Sequence, residues 1–266
     1  MDLSTSTPGS AQSQGLGRLA MRGSIMNSAQ WLINKALTAG AMLVVAFFLT
    51  PAEYGVGVQA LAIFSFLCMF APLTIGDVLI AHPKRFALLA PSAAGLAMII
   101  GCCTTAVTLL SIPVVIYFYS DYPAGWLIGL LAAQAIRPII EAKLVVPISI
   151  MRLSLAYPKM AFIDGVVQTG ATLLSVVMAV FGGRAASLVV PQIINVATRT
   201  TWYSRLAIIQ YSARFHPKLA WFLFRLFMKA ASAQYLHNVL TMLEILILGY
   251  VSGKYEAGLF GFAFVI

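Results

Sequence analysis

The sequence predicts an all-α polytopic membrane protein, and three observations support this fold class. Hydrophobic residues occupy 61% of the 266 positions and charged residues only 9%, with a mean hydropathy of +0.91, unlike a soluble domain. Apolar runs of the roughly 20 residues that a bilayer requires follow one another almost without a break. Lysine and arginine are concentrated in alternate breaks. Only bundled helices satisfy so many backbone groups in lipid.

The apolar runs predict seven membrane-spanning helices and the start of an eighth. The segment from Met1 to Gly17 is rich in Ser, Thr, Gln and Gly, so we expect a disordered cytoplasmic tail. The predicted spans are Ile25 to Leu49, Val56 to Ile80, Pro91 to Phe118, Ala124 to Ile150, Met160 to Phe181, Ala185 to Leu206 and Ala220 to Val251, with the eighth beginning near Ala257. Pro138 and Pro147 should kink or hinge the fourth span, because proline interrupts helical hydrogen bonding.

The charges between the spans predict a cytoplasmic N-terminus. Basic residues cluster before the first span and after the second, fourth and sixth: Arg18, Arg22, Lys84, Arg85, Arg152, Lys159, Arg205, Arg214 and Lys218. The opposite loops carry Glu53, Asp121, Arg184, Lys254 and Glu256, where basic residues are scarce. The positive-inside bias places the basic loops in the cytoplasm. It also accounts for the net charge of +9, so we expect no nucleic-acid partner.

Cysteine and histidine give no sign of a catalytic or metal centre. The cysteines lie within apolar runs, and the histidines are far from one another: Cys68, Cys102, Cys103, His82, His216 and His237. Neither the spacing of a zinc site nor a nucleophilic triad is visible. We therefore expect no catalytic residue, no metal and no cofactor, and a protein that is not an enzyme.

Polar side chains within the spans fall on single helical faces. The first helix carries Asn27, Gln30, Asn34 and Thr38 beside Lys35; the fourth Gln134, Arg137 and Glu141; the fifth Asp164, Gln168, Thr172 and Ser175; the sixth Gln192, Asn195 and Arg199; the seventh Gln234, His237, Asn238, Thr241 and Glu244. Such stripes either hydrogen-bond neighbouring helices or line a cavity. For the ionisable residues among them we favour a functional cavity.

An internal similarity predicts a duplicated chain. The loop after the first helix and the loop after the seventh align when Glu53 is placed on Glu256, which also pairs Gly55 with Gly258. The same register pairs the polar stripes of helices 1 and 7. We therefore expect a tail over residues 1–17, an N-lobe bundle of helices 1–6 over residues 18–213, and an incomplete C-lobe over residues 214–266.

Three segments resemble the polysaccharide transporter family of bacterial lipid-linked oligosaccharide flippases, in the multidrug/oligosaccharidyl-lipid/polysaccharide exporter superfamily. They are Leu49 to Gly55 after a polar first helix, Arg152 to Lys159 before Asp164, and Leu243 to Gly249. The resemblance implies two bundles of six or more helices around a cavity that opens alternately to each side. This chain would supply the first bundle, helix 7 and the start of helix 8.

The resemblance also implies a substrate, a location and partners. The substrate would be an undecaprenyl-diphosphate-linked glycan, a precursor of lipopolysaccharide or exopolysaccharide, carried across the bacterial inner membrane. A proton or sodium ion would drive transport, and polysaccharide polymerase and export proteins would be partners beside the membrane lipids.

Each polar group in the spans then receives a predicted role. The cations Lys35, Arg137 and Arg199 would attract the diphosphate. Amides would hydrogen-bond the sugars, namely Asn27, Gln30, Asn34 and Gln168. The carboxylates Asp164, Glu141 and Glu244 would couple transport to the ion, because a carboxylate at membrane depth can change its charge.

Three alternatives compete with the flippase. A cation-coupled multidrug or metabolite exporter of the related fold should favour acids over bases in its cavity, which Lys35, Arg137 and Arg199 argue against. A non-transporting membrane scaffold would bind only lipid or partner proteins. A membrane enzyme acting on lipid carriers usually needs large extracytoplasmic loops, and the loops here are very short.

Overall fold

All regular secondary structure in the described part of the chain is helical, which confirms the predicted fold class. The computed structural model describes residues 9–68, 72–120, 122–206 and 216–265, and these form ten α-helices and a 3₁₀ turn with no strand. The helices are α1 (Gly9–Phe48), α2 (Pro51–Leu67), α3 (Thr74–Ile80), α4 (Phe86–Phe118), α5 (Ala124–Gln134), α6 (Arg137–Leu153), α7 (Tyr157–Val180), α8 (Ala186–Leu206), α9 (Pro217–Val251) and α10 (Gly253–Val265), with the turn at Pro83–Arg85.

Three described helical stretches are long and apolar enough to cross a membrane. They are Ser28–Phe48, Pro83–Phe118 and Tyr157–Val180, and a shorter apolar stretch covers Met242–Val251. The second and fourth predicted spans fall below this length because each is divided into two helices. The chain is an all-α polytopic membrane protein.

The first helix begins earlier than the sequence predicted. Residues 9–17, placed in the predicted disordered tail, form the start of α1, and residues 1–8 lie outside the described residues. This part of the chain contains no proline to stop a helix, and its three glycines lower the helix propensity without preventing helix formation. Nucleation is the expensive step of helix formation, so a helix already formed over the apolar run extends readily into such a segment.

The second predicted span is two helices, α2 and α3. The first starts at Pro51 because Thr50 and Glu53 form a capping box: the Thr50 hydroxyl accepts from the Glu53 amide at 3.3 Å, and the Glu53 carboxylate accepts from the Thr50 amide at 3.1 Å. Its end at Leu67 is followed by Pro72, which cannot donate a helical hydrogen bond. The chain resumes as the short helix α3.

The fourth predicted span breaks where Pro138 suggested. α5 ends at Gln134, and α6 begins at Arg137, one residue before this proline. A break at membrane depth frees backbone carbonyls that need donors. The Thr105 hydroxyl of α4 supplies one, donating to the Ala135 carbonyl oxygen at 2.6 Å. Pro147, also predicted to interrupt this span, lies inside a continuous α6.

The helices pack as neighbouring pairs that place the polar faces together. α1 lies along α7, α7 along α8, α4 along α6, and α2 along α10. One apolar cluster joins α3, α4, α6 and α9, and another joins α2, α4, α5 and α8. A third joins α6, α7 and α8. The interface of α1, α7 and α8 thus has apolar layers beside it and polar side chains within it.

α2 and α10 cross at a contact of backbone against backbone. A methyl group at Gly55 would overlap the Lys254 carbonyl oxygen, and one at Gly258 would overlap the Pro51 carbonyl oxygen. In the register predicted from the sequence, Gly55 is equivalent to Gly258 and Pro51 to Lys254. These two contacts are therefore the same contact made from each side, and only residues without a Cβ permit it.

Candidate functional site

A polar cavity of about 380 Å³ lies between α1, α7 and α8. Its lining combines amides, one hydroxyl, two cations, one carboxylate and one indole: Gln30, Trp31, Asn34, Lys35, Thr38, Asp164, Gln168, Asn195 and Arg199. The α1 residues recur every three or four positions, as do Asp164 and Gln168 on α7 and Asn195 and Arg199 on α8. Residues at these spacings share one helical face, so three polar stripes meet at a single cavity.

An ion pair closes one end of the cavity. The Arg199 Nε atom lies 2.8 Å from Asp164 Oδ1, and a terminal guanidinium nitrogen donates to Oδ2 at 3.1 Å. The Tyr203 hydroxyl also donates to Oδ1 at 3.0 Å, and the guanidinium lies 5.7 Å from the centre of the Tyr203 ring. Both charged side chains are 29% exposed. Asp164 therefore accepts two hydrogen bonds, one from Arg199 and one from Tyr203, and Arg199 is neutralised while the ion pair is intact.

The remaining polar groups of the cavity are less constrained. Asn195 donates through Nδ2 to Gln168 Oε1 at 2.7 Å, which links α8 to α7. Lys35 is exposed and has no ion-pair partner among the described residues. The cavity thus carries one uncompensated positive charge, and it resides on Lys35.

Two further cavities adjoin the first along α7, and we call the three cavities together the polar column. One of about 610 Å³ shares the Asp164–Arg199 pair and extends to Asp77 of α3 and Arg152 of α6, whose side chains are 2.7 Å apart. The other, of about 30 Å³, shares Thr38 and Gln168 and reaches Thr172, Ser175 and Gln192. Asp164 and Arg199 therefore stand between the cavity of about 610 Å³ and the central cavity of about 380 Å³.

Two further ion pairs each join segments that the charge pattern assigns to the same side of the membrane. Arg152 belongs to a loop predicted to be cytoplasmic, and its partner Asp77 lies in the last turn of the second predicted span, at the cytoplasmic end. Glu53 and Arg184, 3.3 Å apart, belong to loops predicted on the opposite side. The pairing agrees with the predicted alternation of loops, while the direction of insertion stays a prediction.

Arg137 and Glu141, predicted to bind substrate and couple ions, lie outside the cavity. Arg137 donates to Glu141 at 3.2 Å and to Gln134 at 3.3 Å, and its guanidinium lies 5.2 Å from the centre of the Phe64 ring. These residues occupy the start of α6 at the α5–α6 break. Arg137 neutralises its own neighbour on the same helix, one turn away.

Other predicted site residues are also placed apart. Glu244 is exposed on α9, and Asn27 lies outside the described side chains. The structure brings six of the predicted site residues together in the cavity: Gln30, Asn34, Lys35, Gln168, Asp164 and Arg199. In the part of the chain described, no group of three His, Cys, Asp or Glu residues is arranged to hold a metal.

Three residues that line the cavity were not assigned a site role from the sequence, namely Trp31, Thr38 and Asn195, and neither was Tyr203, which contacts Asp164. Thr38 and Asn195 lay on the predicted stripes, and Tyr203 follows Arg199 by one helical turn. The spacing of Tyr203 from Arg199 was the available signal, since residues four apart share a face. A tyrosine in an apolar run resembles an ordinary core residue, and the buried Tyr203 also contributes to the α6–α7–α8 core.

The cavity is suited to an anionic, hydroxylated ligand. Lys35 and the Arg199 guanidinium are donors for phosphate oxygens. Gln30, Asn34, Thr38 and the amide pair provide donors and acceptors that match sugar hydroxyls.

Comparison with known families identifies the chain. The family model described as polysaccharide biosynthesis protein matches residues 44–265, so the chain belongs to that family. Searches of the curated proteins and of the solved structures gave no significant match.

Proposed function

For this member of the polysaccharide biosynthesis protein family, we propose that the activity is transport of a lipid-linked oligosaccharide across the bacterial inner membrane by alternating access. The observation that carries the proposal is the polar cavity at membrane depth, in which Lys35 lies among amides and has no ion-pair partner within the described part of the chain. Polar and ionisable groups in spans mark substrate pathways because they are costly there. A family concerned with polysaccharide and a cavity with a free cation together favour a glycan on a phosphate-containing lipid carrier.

Lys35 is the proposed first contact of the diphosphate. Its ammonium group is the uncompensated charge of the cavity, whereas Arg199 is held by Asp164. The diphosphate would then compete with Asp164 for the Arg199 guanidinium, which offers paired donors to either anion. The sugars would lie against Gln30, Asn34 and Gln168.

Asp164 is the proposed coupling residue. When substrate takes its partner Arg199, the carboxylate keeps one donor, the Tyr203 hydroxyl, among the contacts described. A carboxylate that loses a cation in a partly buried position loses the charge that compensates it. The charge environment of Asp164 would therefore change with each round of substrate binding and release, which is what a coupling residue requires.

Substitution of Lys35 tests the proposal. We expect K35Q to lower the rate of flipping by about 10- to 100-fold, because a hydrogen bond to a charged group contributes about 1.5–3 kcal/mol. K35R should retain most of the rate. The measurement is protection of a lipid-linked oligosaccharide from an external probe in proteoliposomes, combined with the lipid-linked glycan pool of a strain lacking the gene.

A matched control uses Lys143, an exposed lysine of α6 that does not line the cavity. K143Q should transport at the wild-type rate. Equal rates for K35Q, K143Q and wild type would exclude the assigned role of Lys35. An unchanged glycan pool after gene deletion would exclude the flippase and leave the scaffold, whereas export of organic cations would favour the multidrug exporter.

A further inference from the structure

A groove of about 540 Å³ opens between the start of α7 and the end of α8, separate from the polar column. Its lining is Pro158, Lys159, Phe162, Ile163, Trp202, Arg205 and Leu206. None of these residues lines the central cavity or the larger cavity beside it. Phe162 is 67% exposed and begins a stripe of exposed apolar side chains along α7 that includes Val166 and Leu173. The groove therefore opens towards lipid.

The rim of the groove carries uncompensated positive charge. Lys159 and Arg205 are both exposed, and neither has a carboxylate within ion-pairing distance among the described residues. Lys159 lies in the first turn of α7, where the helix dipole is positive, the first turn holds no acid, and the N-cap residue Ala156 makes no side-chain hydrogen bond. A cation at a helix N-terminus is unfavourable unless an anion compensates it.

We infer that this groove binds an anionic diacyl phospholipid of the surrounding membrane, with the phosphate between Lys159 and Arg205 and an acyl chain over Phe162 and Trp202. Basic pockets between transmembrane helices on the cytoplasmic side bind such headgroups. Both cations belong to loops that the charge pattern assigns to that side. Tryptophan at this depth is typical of the interface, where its ring meets both chain and headgroup.

Charge complementarity and separation from the polar column select this occupant. A lipid-linked oligosaccharide needs polar partners for its sugars, and the lining offers only two cations and an indole beside apolar groups. A phospholipid needs a small anion site above an apolar surface. Each cation near an anionic surface contributes about 1 kcal/mol, or roughly fivefold in affinity, so loss of both should weaken binding roughly 25-fold.

The test measures phospholipid binding by the full-length chain in detergent micelles, using native mass spectrometry with phosphatidylglycerol and phosphatidylcholine. We expect the wild type to retain phosphatidylglycerol preferentially, and the variant K159Q/R205Q to lose that preference by roughly 25-fold. The variant K84Q/R85Q removes the same charge from another predicted cytoplasmic segment and should retain it. F162A should weaken binding while keeping the headgroup preference.

Several results would overturn the inference. Equal binding of the two lipids by wild type would exclude headgroup selection, and equal loss in both double variants would assign the effect to overall charge. Competition by glycerol phosphate as strong as that by the whole lipid would exclude the acyl contact. Preferential binding of undecaprenyl phosphate would assign the groove to the carrier lipid. The assay measures no transport, so its failure leaves the flippase proposal to its own test.

Discussion

Replacing Gly258 by alanine should force α2 and α10 apart. The added Cβ would lie 3.0 Å from both the Gly55 nitrogen and the Pro51 carbonyl carbon, and would overlap the Pro51 carbonyl oxygen. Ordinary contacts of this kind are 3.4–4 Å. The obstructing atoms are backbone, so no side-chain rotation relieves the overlap and the helices themselves must shift.

The expected cost follows from this geometry. Overpacking a close contact costs about 1–3 kcal/mol, and a rigid backbone partner favours the upper value. At roughly 2–4 °C per kcal/mol for a chain of this size, G258A should lower the apparent Tm by about 6–12 °C. The assay is thermal unfolding of the purified protein in detergent, followed by tryptophan fluorescence.

Gly129 of α5 provides the matched control. Nothing lies within 4 Å of a Cβ built there, so G129A should be neutral or stabilising by up to about 1 kcal/mol through helix propensity. G55A should resemble G258A, and the double variant should cost less than the sum, because one separation of the helices relieves both overlaps. The backbone contact would be refuted if G258A unfolded at the wild-type Tm, or if G129A lowered the Tm as much as G258A does.

Two other predictions concern the coupling carboxylate and the helix cap. D164N should abolish the dependence of flipping on the gradient of the coupling ion while leaving the protein folded, because the amide carries no charge. Gradient-dependent flipping by D164N at the wild-type rate would contradict the assigned role. T50A should destabilise the protein by about 1 kcal/mol through loss of the capping box, measured by the same unfolding assay; T50S keeps the hydroxyl and should unfold at the wild-type temperature, and equal Tm values for T50A and T50S would show that the cap contributes nothing.

Helical periodicity predicted which residues of α1, α7 and α8 lie on polar faces, but it did not predict which helices pack against those faces. The stripes of α1, α7 and α8 placed Lys35, Asp164 and Arg199 on polar faces, and those faces meet. Periodicity specifies which face of a helix is polar, but not which neighbour that face contacts. Arg137 shows the limit: its spacing from Glu141 predicted a pair, and the pair exists, but neither residue lines the cavity.

The helix breaks in the second and fourth spans were also only partly predictable from the local sequence. Pro138 indicated that the fourth span could bend, because proline removes one hydrogen bond. Whether the helix bends or ends depends on donors from other helices, and the Thr105 hydroxyl that bonds to the Ala135 carbonyl is 30 positions distant. Pro147 in the same span causes no break. Such tertiary partners are absent from any local pattern.

The contact of Gly55 and Gly258 also has a consequence for inheritance. A self-matching contact of this kind is what a two-fold dimer of identical chains makes. If the segments around α2 and α10 descend from one unduplicated gene, the ancestor was a dimer in which one glycine codon supplied both Gly55 and Gly258. A single mutation in that codon placed a side chain on both sides of the contact at once. After duplication each glycine can mutate alone, so the contact can become asymmetric in steps that were closed to its ancestor.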